Sequence, residues 1–162
     1  MEDIHSAIML SFRYKTIAMR KYFFALIATV LIFNCSIAQK NATGASAEVI
    51  RLMHQSSADW NKADLDAFMA LYDTAATFMF STGPVGLEKM RANYERGFFK
   101  DGKPIQQLRF EDLEVRSLGA DHMLLTGKFV LSGNNLPDRK GIYTLVFVKR
   151  SSGWKILHDH SS

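Results

Sequence analysis

Apolar positions recur with a helical period through the first half of the domain and switch to alternation from Ile105 onward. Ser46 followed by Glu48 supplies a hydroxyl cap and a first-turn acid, which predicts a helix start. Ile50, Met53, Ser57 and Trp60 then fall on one helical face. After the link Asn61-Lys62-Ala63, Asp64 is a second cap, and Leu65, Phe68, Met69 and Tyr72 repeat at i, i+3, i+4 and i+7. Thr77-Phe78-Met79-Phe80 reads as a short strand ended by the breaker Ser81-Thr82-Gly83-Pro84. A third helix is predicted from Leu87 to Phe99, with Leu87, Met90, Tyr94 and Phe98 on one side.

Four long strands follow, punctuated by turns at Gly119-Ala120-Asp121, Gly133-Asn134-Asn135 and Ser151-Ser152-Gly153, and are expected to be consecutive and antiparallel. In the first of them Leu108 and Phe110 have one parity and Leu113 and Val115 the other. An extra residue must therefore be absorbed near Glu111-Asp112, and a β-bulge there would bend the sheet. Met123, Leu125, Gly127, Phe129 and Leu131 alternate along the second strand. The third is apolar in both parities, Tyr143, Leu145 and Phe147 against Ile142, Val146 and Val148, as a central strand would be. The order α-α-β-α-β-β-β-β is an α+β arrangement with helices packed on one face of a strongly bent antiparallel sheet. Such a cone tends to leave a cavity at its wide end.

Composition changes this picture mainly at the N-terminus. Met19-Arg20-Lys21-Tyr22 precedes an uncharged apolar run of eleven residues, 23–33, and small Ser36 and Ala38 then occupy the positions a signal peptidase reads. A secretory signal cleaved after Ala38 is expected, with Met19 the true start and residues 1–38 removed. Residues 39–45 form a short polar lead and 46–162 the domain. The run is shorter than the roughly 20 residues a bilayer span needs, which argues against a permanent membrane span. Lipidation of Cys35 is the alternative to cleavage after Ala38. Cleavage removes the only cysteine, so no disulfide is available. It also removes Arg13, Lys15, Arg20, Lys21, Glu2 and Asp3, lowering the formal charge from +4 to +2. The 48% hydrophobic content excludes a mainly disordered chain. The remaining basic residues are scattered, with Arg139-Lys140 and Lys149-Arg150 the adjacent pairs, so a nucleic-acid footprint is not seen.

Three stretches carry a family resemblance: residues 58–72, residues 141–149, and Gly153-Trp154-Lys155-Ile156-Leu157-His158-Asp159-His160-Ser161-Ser162. Together they resemble the SnoaL-like branch of the nuclear transport factor 2-like superfamily, with its cystatin-like cone. The terminal stretch is also similar to the end of the calcium/calmodulin-dependent kinase II association domain. The resemblance implies a homodimer whose sheets pack together and a pocket in each subunit. Its members include polyketide cyclases, ketosteroid isomerases, small hydratases and assembly modules, so the fold does not select an activity.

Candidate chemistry is sparse. Trp154, Ile156, His158 and His160 share one parity, so both imidazoles are expected in the pocket if that face is the interior. Burial there would hold them neutral and suit them to orienting a carbonyl or hydroxyl. Cross-strand or surface hydrogen bonding is the alternative for both. The His-x-His spacing lacks a placed third ligand, since Asp159 has the opposite parity and His54 and His122 are unplaced, so no metal is expected and no cofactor is implied. Trp60, Tyr72, Phe78, Tyr94 and Phe98 are either core or pocket lining, Trp60 and Tyr94 having polar tips that need partners. Arg109 is either a solvated residue or a pocket cation for an acidic ligand. The family's isomerases place an oxyanion-donating Tyr on the first helix, and residues 46–60 contain none. Asp112, at the expected bulge, is the strand acid to consider as a base, a solvated bulge residue being the alternative reading, and His160 is the other catalytic candidate. The expected function is binding of a small organic molecule in the cone. A non-catalytic homodimeric assembly module and an isomerase, lyase or hydrolase on a small carbonyl or cyclic substrate are the alternatives.

Overall fold

The computed structural model describes residues 44–162. The expected leader 1–38, Met19, Cys35, the cleavage after Ala38 and most of the polar lead lie outside the described residues. Helix α1 covers 44–61 and is already helical two residues before Ser46. Its buried line is Val49, Met53, Ser56 and Trp60. Ile50 and Ser57 are only half-buried, so the inward face is turned by one position from that expected, because Trp60 and Met53 anchor it with Val49. Asp64 caps α2 (Leu65–Met69), its carboxylate accepting from the Ala67 amide at 2.9 Å. Helix α2 is a single turn, and Tyr72 is not on it. Tyr72 opens strand β1 (Tyr72–Phe80), which is longer than the strand expected from Thr77.

The segment expected to be a breaker is a hairpin: Ser81-Thr82 turns β1 into β2 (Gly83–Gly86), pairing Phe80 with Gly83. Helix α3 spans Leu87–Phe98. A two-stranded ribbon, β3 (Phe99–Lys100) and β4 (Lys103–Pro104), leads to β5 (Gln107–Ser117), β6 (His122–Ser132), β7 (Arg139–Arg150) and β8 (Gly153–Ser161).

The main sheet runs β2-β1-β8-β7-β6-β5, so β7 is interior as its two-sided apolar pattern requires. Strands β5 to β8 are antiparallel as expected, but β1 joins β8 in parallel, making the sheet mixed. Two bulges shape its inner face. In β5, Glu111 pairs with Lys128 and Glu114 with Thr126, so Asp112 and Leu113 together oppose Gly127. Asp112 takes up the extra residue with φ 53°, and this returns Leu113 and Val115 to the side of Leu108 and Phe110. In β8, Ile156 pairs with Phe147 and His158 with Val146, leaving Leu157 as an extra residue. Beyond it the parity of β8 is reversed. The helices cover the inner face, where Trp60, Phe68 and Met90 pack with Leu125, Leu145, Phe147 and Ile156 in one core. Among the described residues no helix is long and apolar enough to cross a membrane.

Candidate functional site

The core is incomplete at one end. A cavity of about 330 Å³ lies between α1, α3 and the sheet, lined largely by carbon from Met53, Phe68, Met90, Phe110, Phe129 and Leu145. Trp60, Tyr72, Phe78, Tyr94 and Phe98, all named from the sequence, line it. Trp60 is packed by the rings of Phe99, Phe68, Tyr94 and Phe98 at centroid distances of 4.8, 5.1, 5.5 and 6.0 Å. Its indole N–H donates to the Gln106 carbonyl at 3.1 Å, so its polar tip is used to fix the β4–β5 connection.

The Leu157 bulge decides which polar groups of β8 enter. Asp159 and Ser161 line the cavity, and His158 and His160 do not, correcting the placement expected from simple alternation. His158 Nδ1 instead lies 2.8 Å from the Thr77 hydroxyl across the sheet, and His160 is exposed. Asp112 is also outside, with its side chain 66% exposed and its carboxylate 2.7 Å from Lys128 Nζ. Arg109 bonds Glu111 Oε1 at 2.8 Å and Ser132 Oγ at 3.1 Å, on the solvated side. Asp112 and Arg109 therefore take the solvated places that are their alternative readings, and neither is a base or a cation of this cavity. Among the described residues no group of three or more His, Cys, Asp or Glu side chains is arranged to hold a metal ion.

Sequence alternation pointed Asp159 the other way, yet it is the buried acid of the site, only 3% exposed. Its Oδ2 accepts from the Tyr72 hydroxyl at 2.8 Å and its Oδ1 from the Ser161 hydroxyl at 2.7 Å. Burial pushes the Asp159 carboxyl above the usual carboxylate range, outweighing these two hydrogen bonds and the nearby His158 and His160, which act the other way. Burial likewise raises the Tyr72 phenol well above its ordinary value, assisted by the Asp159 charge and by Tyr94. The Tyr94 phenol is raised by burial and then by Asp159, with a hydrogen bond to Tyr72 opposing. Tyr143 is raised by the same two causes, burial first. The cavity thus presents neutral phenols and a carboxyl whose affinity for its proton is raised, in apolar surroundings. Such groups can donate to an oxygen of a bound molecule, and the carboxyl can also exchange a proton.

A second, shallower groove collects Asp73, Arg91, Arg150 and Lys155. Its cations have partners: Arg150 Nε bonds Asp73 Oδ2 at 2.6 Å, Lys155 Nζ the Ala70 carbonyl at 2.6 Å, and Arg91 Nη2 Asp66 Oδ1 at 2.5 Å. The groove is an ion-paired surface, whereas the first cavity holds polar groups inside hydrocarbon.

Comparison with known proteins agrees with this architecture. Among curated proteins none matches the sequence. An NTF2-like protein of unknown function from Shewanella oneidensis is similar in structure, at 24% identity and TM-score 0.64, the match covering 72% of this chain and 97% of that one. The association domain of CaMKII from C. elegans is similar at 17% identity and TM-score 0.61, covering 75% and 97%. A protein of unknown function with a cystatin-like fold from Nostoc punctiforme is similar at 12% identity and TM-score 0.58, covering 71% and 87%. These likenesses establish the fold, an α+β cystatin-like cone. The SnoaL-like domain is matched in sequence over residues 49–162, from the first buried position of α1 through the end of β8, and the chain belongs to that family.

Proposed function

We propose that this chain binds a small, mainly apolar organic molecule in the cavity beneath α1 and α3. The observation that carries the reading is Asp159, a carboxyl buried at the wall of a carbon-lined space of about 330 Å³ and bonded to Tyr72 and Ser161. The volume is at the lower end of the range of roughly 300–1,000 Å³ usual for small-molecule sites, and a few polar groups in an apolar lining are their ordinary chemistry. Burying an acid in such a place is unfavourable for stability alone. Acid–base conversion of a small carbonyl or cyclic compound is a second reading, supported by the same carboxyl, whose proton affinity is raised in apolar surroundings.

Export and self-association belong to this proposal. The apolar run at 23–33 followed by Ser36 and Ala38 supports a cleaved secretory leader. Pairing of two copies through the outer sheet face is supported by Ile142, which is 62% exposed there. Native mass spectrometry of the protein purified after expression of the full chain tests all three parts. A dimer beginning at Gln39 and carrying an extra small mass is expected. A bare monomer that also fails to bind any of a panel of small aromatic and alicyclic compounds would refute both the binding and the pairing.

A further inference from the structure

Tyr143 was not singled out by sequence pattern, because its place in an alternating apolar row makes it look like core. It is 4% exposed and lines the cavity, and its hydroxyl makes no hydrogen bond among the described residues. Tyr72, by contrast, has its hydroxyl committed to Asp159. A buried hydroxyl without a partner is unfavourable, and the pose that leaves Tyr143 in this state is built by its neighbours. Tyr143 pairs across β6 and β7 with Gly127, and its ring lies over that residue. A Cβ at position 127 would stand 2.7 Å from the Tyr143 hydroxyl, 2.9 Å from Cζ and 3.1 Å from Leu113 Cδ2. The ring of Phe110 meets Tyr143 edge-on at 5.4 Å. Glycine at 127 and the β5 bulge, which turns Leu113 inward, together make the space for the phenol.

We propose that Tyr143 is a ligand-recognition residue, its hydroxyl donating to a lone uncharged acceptor oxygen, of the ketone, aldehyde, ester or ether class, on an otherwise apolar molecule. This rests on the cavity being a ligand site. The class follows from what surrounds the hydroxyl: Phe110, Leu113 and the bare Gly127 present carbon, while the polar groups on its β8 side, Ser161 opposite it and the Asp159 carboxyl whose charge it feels, are already bonded to each other and to Tyr72. A ligand ammonium or carboxylate there would lose its hydration in return for one hydrogen bond, whereas a single carbonyl or ether oxygen would be satisfied. Burial also keeps the phenol protonated, and so able to donate.

The test uses two compounds of one shape, 2-acetylnaphthalene and 2-isopropenylnaphthalene, in which C=O is replaced by C=CH2. Their affinities are measured by calorimetry for the wild type, Tyr143→Phe and Gly127→Ala. The ratio of ketone to alkene affinity removes differences in general packing. It is expected to fall about five- to tenfold in Tyr143→Phe, the worth of one neutral hydrogen bond. It is also expected to fall in Gly127→Ala, which keeps the hydroxyl but displaces it. In the absence of either compound, Tyr143→Phe is expected to melt at or above the wild-type temperature, because no internal bond is lost. An unchanged ratio in Tyr143→Phe overturns the assignment while leaving the cavity as a binding site, and a lowered melting temperature of the unliganded variant overturns it by showing that the hydroxyl is already bonded within the protein. Failure of both compounds to bind the wild type overturns the cavity reading and this assignment with it.

Discussion

Replacing Asp159 with Asn should change how stability depends on pH more than it changes stability at any one pH. Asn has nearly the same shape and can still accept from Tyr72, whose hydroxyl is 2.8 Å from Oδ2 in the wild type, and the Ser161 hydroxyl can rotate. What it removes is titration. In the unfolded chain Asp159 ionises near the ordinary value of about 3.9. In the folded chain burial raises the carboxyl, so above pH ~3.9 the native state retains a proton that the unfolded state has released. Stability then falls as pH rises, by about 1.4 kcal/mol for each pH unit between the unfolded value and the raised folded value, and levels off beyond it. For a domain of this length each such unit corresponds to roughly 3–6 °C in melting temperature. Thermal melts of wild type and Asp159→Asn at pH 4, 5, 6, 7 and 8 would show this directly. Other titrating groups are common to both proteins and cancel in the difference. The variant should gain on the wild type progressively as pH rises from 4. Parallel curves across the whole range would refute the reasoning, and an advantage for the variant that shrinks as pH rises would show that the hydrogen bonds from Tyr72 and Ser161 outweigh burial.

Asp73 provides the opposite sign. The Arg150 guanidinium beside it, with the Ala75 amide, holds its carboxyl below the usual range, so its stabilisation is present above about pH 3.9 and lost as pH falls through the folded value. Arg150→Met should accordingly lower the melting temperature at pH 7, and by progressively less as pH falls below about 3.9, read by the same melts. Trp60→Ala should destabilise by about 3–5 kcal/mol in urea unfolding, because it empties the centre of a five-ring cluster and frees the Gln106 carbonyl. Asp112→Gly should leave stability within about 0.5 kcal/mol and leave affinity for 2-acetylnaphthalene unchanged, since Asp112 is exposed at positive φ and outside the cavity. A large loss of affinity in that variant would return Asp112 to the site.

The two bulges show what alternation can and cannot report. The one at Asp112 was legible because apolar residues flank it on both sides: Leu108 and Phe110 conflict in parity with Leu113 and Val115, and only an extra residue reconciles them. The one at Leu157 was silent. Beyond it the chain is polar, so Trp154 and Ile156 continue without contradiction into His158 and His160, and nothing signals that Asp159 has taken the inner side. That single residue moved the site from two histidines to a carboxyl. A helix start was legible at Asp64, which caps α2, but not at Ser46, which lies inside α1. Tyr72 satisfied the helical spacing by accident, and its place at the head of β1 depends on a partner far along the chain. The aromatic residues Trp60, Tyr72, Tyr94 and Phe98 could be named as candidates from their apolar rows, but the rows alone did not separate core packing from cavity lining. Tyr143 could not, because its unmet hydroxyl is visible only once Gly127 is seen beneath it.

The parallel junction of β1 with β8 also makes the closure of the sheet depend on a contact between distant parts of the chain. Strand β8 lies between β1 and β7, so without it the sheet would be two separate pieces, β2-β1 and β7-β6-β5. Neither piece can close the core alone. Tyr72 waits for an acceptor 87 positions downstream. Long-range pairing of this kind slows folding, because a large loop must close before any contact rewards it. The sheet, the core it backs and the bonded acid at Asp159 are therefore completed together, by the one strand that fills the gap between β1 and β7.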